Sequence, residues 1–447
     1  MAESGSTITV PLIINGRDIT SREKFDVISP GTREIVWISS SVTHGLADEA
    51  STTKPVLRRA IFLQAADILE QRAPECEEYM AEETGAIQPF MKINVTTAAE
   101  LLRDLAGRIN KAPTGQLPVC QEEGTHEMVL REPYGVVLGI ALCEVSPRCF
   151  WLIGSIFREA GLPPGCLNVI YHHPEAAAEI TTQLIKHPAV RKMNFTGSTA
   201  VGRIISSTAG RNLKPVLMEL GGKSSAIVCE DADLDLAAQQ CAIGAFLHSG
   251  QICMSTERIL VHHTVLTPFA ERLKAAIGSI FGQEGTPQTV AQFAAVVRNH
   301  HLVQDVVSKG ATVVHGHHSD NDTGAPSSFQ LQPTVVQAVT PSMDLYQTES
   351  FGPTVSLILI DSDEQAISIS NYTDYGLSGA VFTRDLTRGL TLAKQMQTGA
   401  VHINSMNVHD EPSLPHGGVK SSGWGRFNAD MGLDGFLQTK TTIKFKH

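Results

Sequence analysis

Between residues 135 and 220 the sequence alternates strand-like and helix-like periods, and this alternation restricts the fold more than any other feature. GVVLGIA (135–141) leads to a helical period at 147–160. LNVIY (167–171) leads to one near 174–185, and VRKMNF (190–195) to one near 199–209, before KPVLMEL (214–220). Strand and helix in strict turn predict an α/β fold with a parallel sheet and right-handed crossovers. Such sheets bind ligands beyond the carboxyl ends of their strands. A second alternating block starts at SSAIVCE (224–230), with helices at 233–248 and 264–281 around the strand RILVHH (258–263). Further strands are expected at 333–339, 354–360, 378–383 and 399–404.

The flanking segments read differently. Asn15-Gly16 between VPLII and RDIT predicts a hairpin. Apolar residues at helical spacing predict helices over 55–71 and 95–110. Residues 113–135 read as an extended arm, and the ending TTIKFKH as an edge strand. The polar run 315–328 reads as a surface loop.

A chain of 447 residues suits two or three domains. Its 46 acidic against 35 basic residues give a net charge of −11, with no basic block, which argues against a nucleic-acid partner. No apolar run is long enough for a bilayer, and MAESGSTITV lacks the features of a signal peptide, so a cytoplasmic, non-membrane protein is expected. Cys76, Cys120, Cys143, Cys149, Cys166, Cys229, Cys241 and Cys253 are scattered without a CxxC pair, which suggests neither a zinc site nor a disulfide framework. His315, His317, His318, Asp320 and Asp322 lie in the polar run without a recognised ligand spacing. His300-His301 lack the i, i+4 spacing that puts two ligands on one helix face. No metal site is expected.

Three local features carry chemistry. FTGSTAVG (195–202) ends a strand and opens a helix: Gly197 allows a sharp turn, and Ser198 and Thr199 suit a cap. The N–H groups at that helix start suit a pyrophosphate, and a plain capped helix explains the residues as well. Cys253 in SGQICMS (249–255) follows a helix on a Ser/Gly turn, where a thiol meets substrate; a buried apolar cysteine is the alternative. Glu219 in MELGGK (218–223) ends a strand before a double glycine, placed either to activate water or simply to face solvent. A covalent acyl-enzyme needs both a thiol and a base, so the pair fits together better than either residue alone.

Taken in order, REPYGVV (131–137), FTGSTAVGR (195–203), ELGGK (219–223), GQIC (250–253), ESFGP (349–353) and HGGVKSSGWGR (416–426) resemble the aldehyde dehydrogenase superfamily over nearly the whole chain. FLHSGQICMSTER and LPHGGVKSSGWGRF look most like its salicylaldehyde and vanillin dehydrogenase branch. The resemblance implies a Rossmann-type cofactor domain over 1–112 and 136–221, a second α/β catalytic domain over 222–407, an oligomerisation arm over 113–135 and 436–447, and a Gly-rich tail (408–435) returning to the cofactor domain. It implies NAD-dependent oxidation of an aromatic aldehyde. Cys253 would attack the carbonyl and Glu219 would activate the hydrolytic water. Gly197, Ser198 and Gly202 would meet the pyrophosphate, Glu144 the adenosine ribose, and Glu349, with Phe351 beside it, the nicotinamide ribose. A homodimer or homotetramer is implied.

The sequence departs from the family where GVVLGIA runs straight into LCEVSPRCFW (142–151). The family has a Pro-Trp-Asn turn, a helix and a second strand there, so about one strand-plus-crossover unit is missing. Ala141 stands at the position of the family's cofactor Lys. The Asn that shares the oxyanion role has no counterpart, and losing one such donor costs about 10²–10³ in rate. A segment near 43–53 also looks short. Three readings stay open: a gene model that lost an exon, a degenerate or non-catalytic paralogue, or a sheet that re-closes with one strand fewer and keeps some activity.

Overall fold

A computed structural model describes residues 8–30, 34–40, 55–121, 123, 125–141, 146–282, 289–290, 293–316 and 330–444. Its largest sheet has seven strands, in the order Thr312–His315, Thr334–Gln337, Thr354–Ile360, Thr256–His262, Ser224–Val228, Ser378–Phe382 and Ala400–Ile403. All neighbours are parallel except the first pair. Because side chains alternate across a strand, the apolar runs feed two cores at once. Ala226, Val228, Val355, Leu357, Ala380 and Phe382 pack against the helices Leu234–Phe246 and Leu266–Phe281. Ile227, Ile358, Ile360 and Val381 point the other way, onto Leu302, Val306, Ala366 and Leu392.

The smaller sheet orders Gly423–Trp424, Val216–Glu219, Val190–Thr196 and Val136–Ile140. The last three are parallel, and the tail strand Gly423–Trp424 adds antiparallel. Helices Ala177–Lys186 and Thr199–Arg211 supply Ile185, Ile205 and Ala209 to its core beside Met193, Phe195 and Met218. Burying each of the larger of these side chains contributes about 1.5–3 kcal/mol relative to exposure. A third core joins the N-terminal strands to the helices Pro55–Gln71, Ala73–Thr84, Gln88–Arg108 and Pro147–Glu159.

Two expectations need correction. LNVIY (167–171) is not a strand of the sheet. Val169 makes a single antiparallel bridge with Ile13, at 2.8 and 2.9 Å, so the N-terminal hairpin takes its backbone groups instead. Val136–Ile140 is therefore the edge strand, paired only with Val190–Thr196 among the described residues. His315 is not part of a solvated loop: it ends the strand Thr312–His315 and is buried. His317, His318, Asp320 and Asp322 lie outside the described residues.

The Asn15-Gly16 turn is present with φ +49° and +72°, as a tight hairpin requires. The extended arm is a two-stranded ribbon of His126–Pro133 against Leu437–Lys444. Among the described residues no helix is long and apolar enough to cross a membrane, and no cluster of three or more His, Cys, Asp or Glu could hold a metal ion.

Candidate active site

The site is assembled around one turn. Strand Val216–Glu219 is followed by Leu220-Gly221-Gly222-Lys223, which leads into strand Ser224–Val228 of the other sheet. Both glycines are demanded by close approach. A Cβ on Gly221 would overlap the Glu349 carboxylate, and one on Gly222 would overlap the carbonyl of Cys253. The Gly222 N–H donates to Glu349 Oε1 at 2.6 Å. The ELGGK turn thus lies between the backbone of the thiol residue and the carboxylate of the ESFGP loop.

That loop is held from below. Glu257 is buried and pairs with the buried Lys223 ammonium at 2.6 Å. Its carboxylate also accepts the Ser350 N–H at 2.9 and 3.1 Å, the Ser350 hydroxyl at 2.8 Å and the Phe351 N–H at 3.1 Å. These bonds hold Phe351 in the left-handed region, at φ +44°. Asn299 donates to the Ser350 carbonyl at 2.9 Å. Arg258 donates to the carbonyls of Lys223, Ile369 and Ser370, each at 3.0 Å.

Cys253 follows a strained approach. His248, Ser249 and Gly250 are consecutive left-handed residues, with φ +49°, +57° and +68°. Each non-glycine there costs roughly 1–2 kcal/mol, offset by burial and by the stacking of His248 on Phe90 at 4.5 Å. The segment delivers Cys253 as a partly buried residue. Burial, then the charges of Glu219 and Glu349, pushes that thiol up to about 12. The three groups are therefore electrostatic neighbours. Burial likewise lifts Glu349 to about 7, against the Gly222 N–H, which favours the charged form.

Glu219 is buried. Neither carboxylate oxygen makes a hydrogen bond among the described residues. Oε2 lies 3.3 Å from His416 Nε2, an ion-pair contact rather than a well-aligned hydrogen bond. His416 carries no role legible in the sequence alone. Its motif was visible, but the contact spans 197 positions and has no local signature. The Lys223–Glu257 pair was missed for the same reason.

The phosphate-binding candidates stand at the start of Thr199–Arg211. Ser198 caps it, its hydroxyl accepting the Val201 N–H at 3.4 Å. The Gly197 N–H is taken by the Glu219 carbonyl at 3.1 Å, and Gly202 packs on Leu220. Val201 and Ile204 are 45% and 67% exposed on this helix, so a capped helix start and free apolar surface lie side by side. A cleft of about 570 Å³ is lined in part by Arg203, Thr348, Tyr375 and Ser421. A helix N-terminus, apolar surface and a buried carboxylate fit a dinucleotide. Glu144 lies outside the described residues.

The aldehyde dehydrogenase family model matches residues 21–141 and 143–442. The chain belongs to this family. A vanillin dehydrogenase of Pseudomonas fluorescens is 37% identical over 477 aligned positions, covering 97% of each chain. A salicylaldehyde dehydrogenase of Pseudomonas putida is 33% identical, covering 95% of each. Among solved structures, a salicylaldehyde dehydrogenase from Pseudomonas putida G7 complexed with salicylaldehyde superposes with a TM-score of 0.91 at 31% identity, covering 98% of each chain. The chain is thus an aldehyde dehydrogenase, an oxidoreductase with the α/β fold of that family.

Proposed function

We propose that this aldehyde dehydrogenase oxidises an aromatic aldehyde to its carboxylic acid with NAD. The convergence of Cys253, Glu219 and Glu349 on the ELGGK turn carries the reading. The substrate class is supported by relatives named for vanillin, salicylaldehyde and benzaldehyde. Cys253 Sγ adds to the carbonyl carbon, and its proton passes to solvent. NAD, when bound, accepts the hydride that turns the adduct into a thioester. Ser198 and the helix start would hold its phosphates, and Glu349 its nicotinamide ribose. Glu219 then takes a proton from water, hydroxide adds to the thioester carbon, and the C–S bond breaks to release the acid, with the departing thiolate taking the proton back from Glu219.

The test is NADH formation from benzaldehyde and NAD by the chain and by Cys253→Ala. Formation abolished in the variant supports the reading, and equal rates in the two overturn it.

A second reading is that about one strand–helix unit has been lost at residues 141–142, leaving weak or no turnover. The family match breaks at residue 142, and the 477 aligned positions exceed the 447 residues of the chain. The edge position of Val136–Ile140 agrees. An absent oxyanion donor predicts turnover reduced by about 10²–10³. Sequencing the transcript across the codons of Ala141 and Leu142 separates real loss from mis-splicing, since a continuous message removes the second.

A further inference from the structure

The tail closes over Glu219 from both sides. Strand Gly423–Trp424 pairs with Val216–Glu219, and the Leu220 N–H donates to the Ser422 carbonyl at 3.0 Å. His416 is fixed by reciprocal backbone bonds with Phe427, at 2.7 and 3.0 Å. From there its Nε2 faces Glu219 Oε2 at 3.3 Å, while Gly417 presses on Oε1, where a Cβ would come within 2.9 Å. The imidazole has a carboxylate on its other side too: Nδ1 lies 3.9 Å from Asp410 Oδ1, which Asn428 holds at 2.8 Å.

We propose that His416 is a positioning residue for Glu219, clamping the carboxylate while the imidazole is charged and releasing it as a base when the imidazole loses its proton. This rests on the assignment of Glu219 as the hydrolytic base. With the imidazole charged, Oε2 of Glu219 is held towards His416. With the imidazole neutral, the buried carboxylate is free to turn towards water at the Cys253 thioester.

The charged groups around the imidazole set the direction. Burial pushes it down, but Glu219 and then Asp410 outweigh burial. Arg426 and the neighbouring His402 oppose them. The net shift is upward, so the clamp is engaged at mildly acidic pH and opens above the ordinary histidine range.

Two measurements decide it. The first is steady-state hydrolysis of 4-nitrophenyl acetate, which acylates a thiol without NAD, followed from pH 5 to 9 in the parent chain, His416→Gln and His416→Phe. The acid limb of the parent is expected above pH 6.5. In His416→Gln, which keeps a neutral donor, it should fall by at least one pH unit, so that the variant hydrolyses the ester several-fold faster at pH 6. His416→Phe should lose rate at high pH. A limb left in place, with rates scaled equally at all pH, overturns the proposal. Cys253→Ala tests the underlying reading separately: ester hydrolysis undiminished in that variant rejects the nucleophile, not the clamp.

The second measurement needs no turnover. NMR titration of ¹⁵N-labelled histidine, with His416 assigned through His416→Gln, should place its pKa above 6.5 and lower it by at least one unit in Glu219→Gln. An unchanged value in Glu219→Gln overturns the proposal even in an inactive chain.

Discussion

The ammonium of Lys223 lies 2.6 Å from Oε2 of Glu257, and both side chains are closed off from solvent. The pair joins the residue after the double glycine to the carboxylate that holds Ser350 and Phe351, so one ion pair sets the spacing of two loops of the site. Glu257→Gln would leave a buried ammonium without its counter-charge and weaken the bonds to the 349–353 loop. A loss of about 3–5 kcal/mol of stability is expected, measured by urea unfolding, with a fall in turnover from a displaced Glu349. A loss under about 1 kcal/mol would mean that water reaches the pair.

Gly222, in the turn that joins the two sheets, lies against the backbone of Cys253. A Cβ there meets the Cys253 carbonyl, and backbone yields less readily than a side-chain tip. Gly222→Ala should therefore fold but displace the thiol. A displacement near 1 Å costs about 10² in rate. The expected pattern is a kcat lowered by that order with an unfolding midpoint close to the parent's. Unchanged kcat would show that the turn relaxes without moving Cys253.

The parts of this arrangement that the sequence makes legible are those encoded locally. The strand at 354–360 matches its expected bounds because a mostly apolar, β-branched run of this length suits a strand buried on both faces along most of its length. The Asn15-Gly16 hairpin and the Ser198 cap likewise follow from residues that favour one backbone conformation. The motif order marks Cys253, Glu219 and Glu349 well before their convergence is seen. Val169 was misread because a short β-branched run pairs equally well with a sheet or with one residue of a hairpin. The Lys223–Glu257 and Glu219–His416 contacts join residues 34 and 197 positions apart, and only tertiary packing selects those partners.

The thiol of Cys253 should be a sluggish nucleophile without ligands. With its pKa pushed to about 12 by burial and by Glu219 and Glu349, roughly one molecule in 10⁴ carries thiolate at pH 8, against about a quarter of an ordinary cysteine. Iodoacetamide labelling of Cys253, read by peptide mass spectrometry, should rise about tenfold per pH unit between pH 7 and 10. Glu219→Gln and Glu349→Gln should each raise the rate at pH 8, because each removes a repelling charge. A plateau near pH 8.5 would show that the thiol is not perturbed.

Glu349 gives stability a pH dependence of known sign. Burial holds its carboxyl at about 7 in the folded chain, above its ordinary 4.5. Between those values the folded state keeps a proton that the unfolded state has released. Its contribution is therefore fully present below about pH 4.5 and is lost as pH rises through about 7. Glu349→Gln keeps an acceptor for the Gly222 N–H and cannot ionise. Its stability relative to the parent should therefore improve between pH 5 and pH 8, by on the order of 2 kcal/mol. Urea unfolding of both proteins at the two pH values measures the difference directly, and taking it between the proteins cancels every other titrating group. A difference that stays flat would mean that Glu349 is ionised throughout, and that the Gly222 N–H and the nearby Lys223 and Arg298 outweigh the cost of its burial.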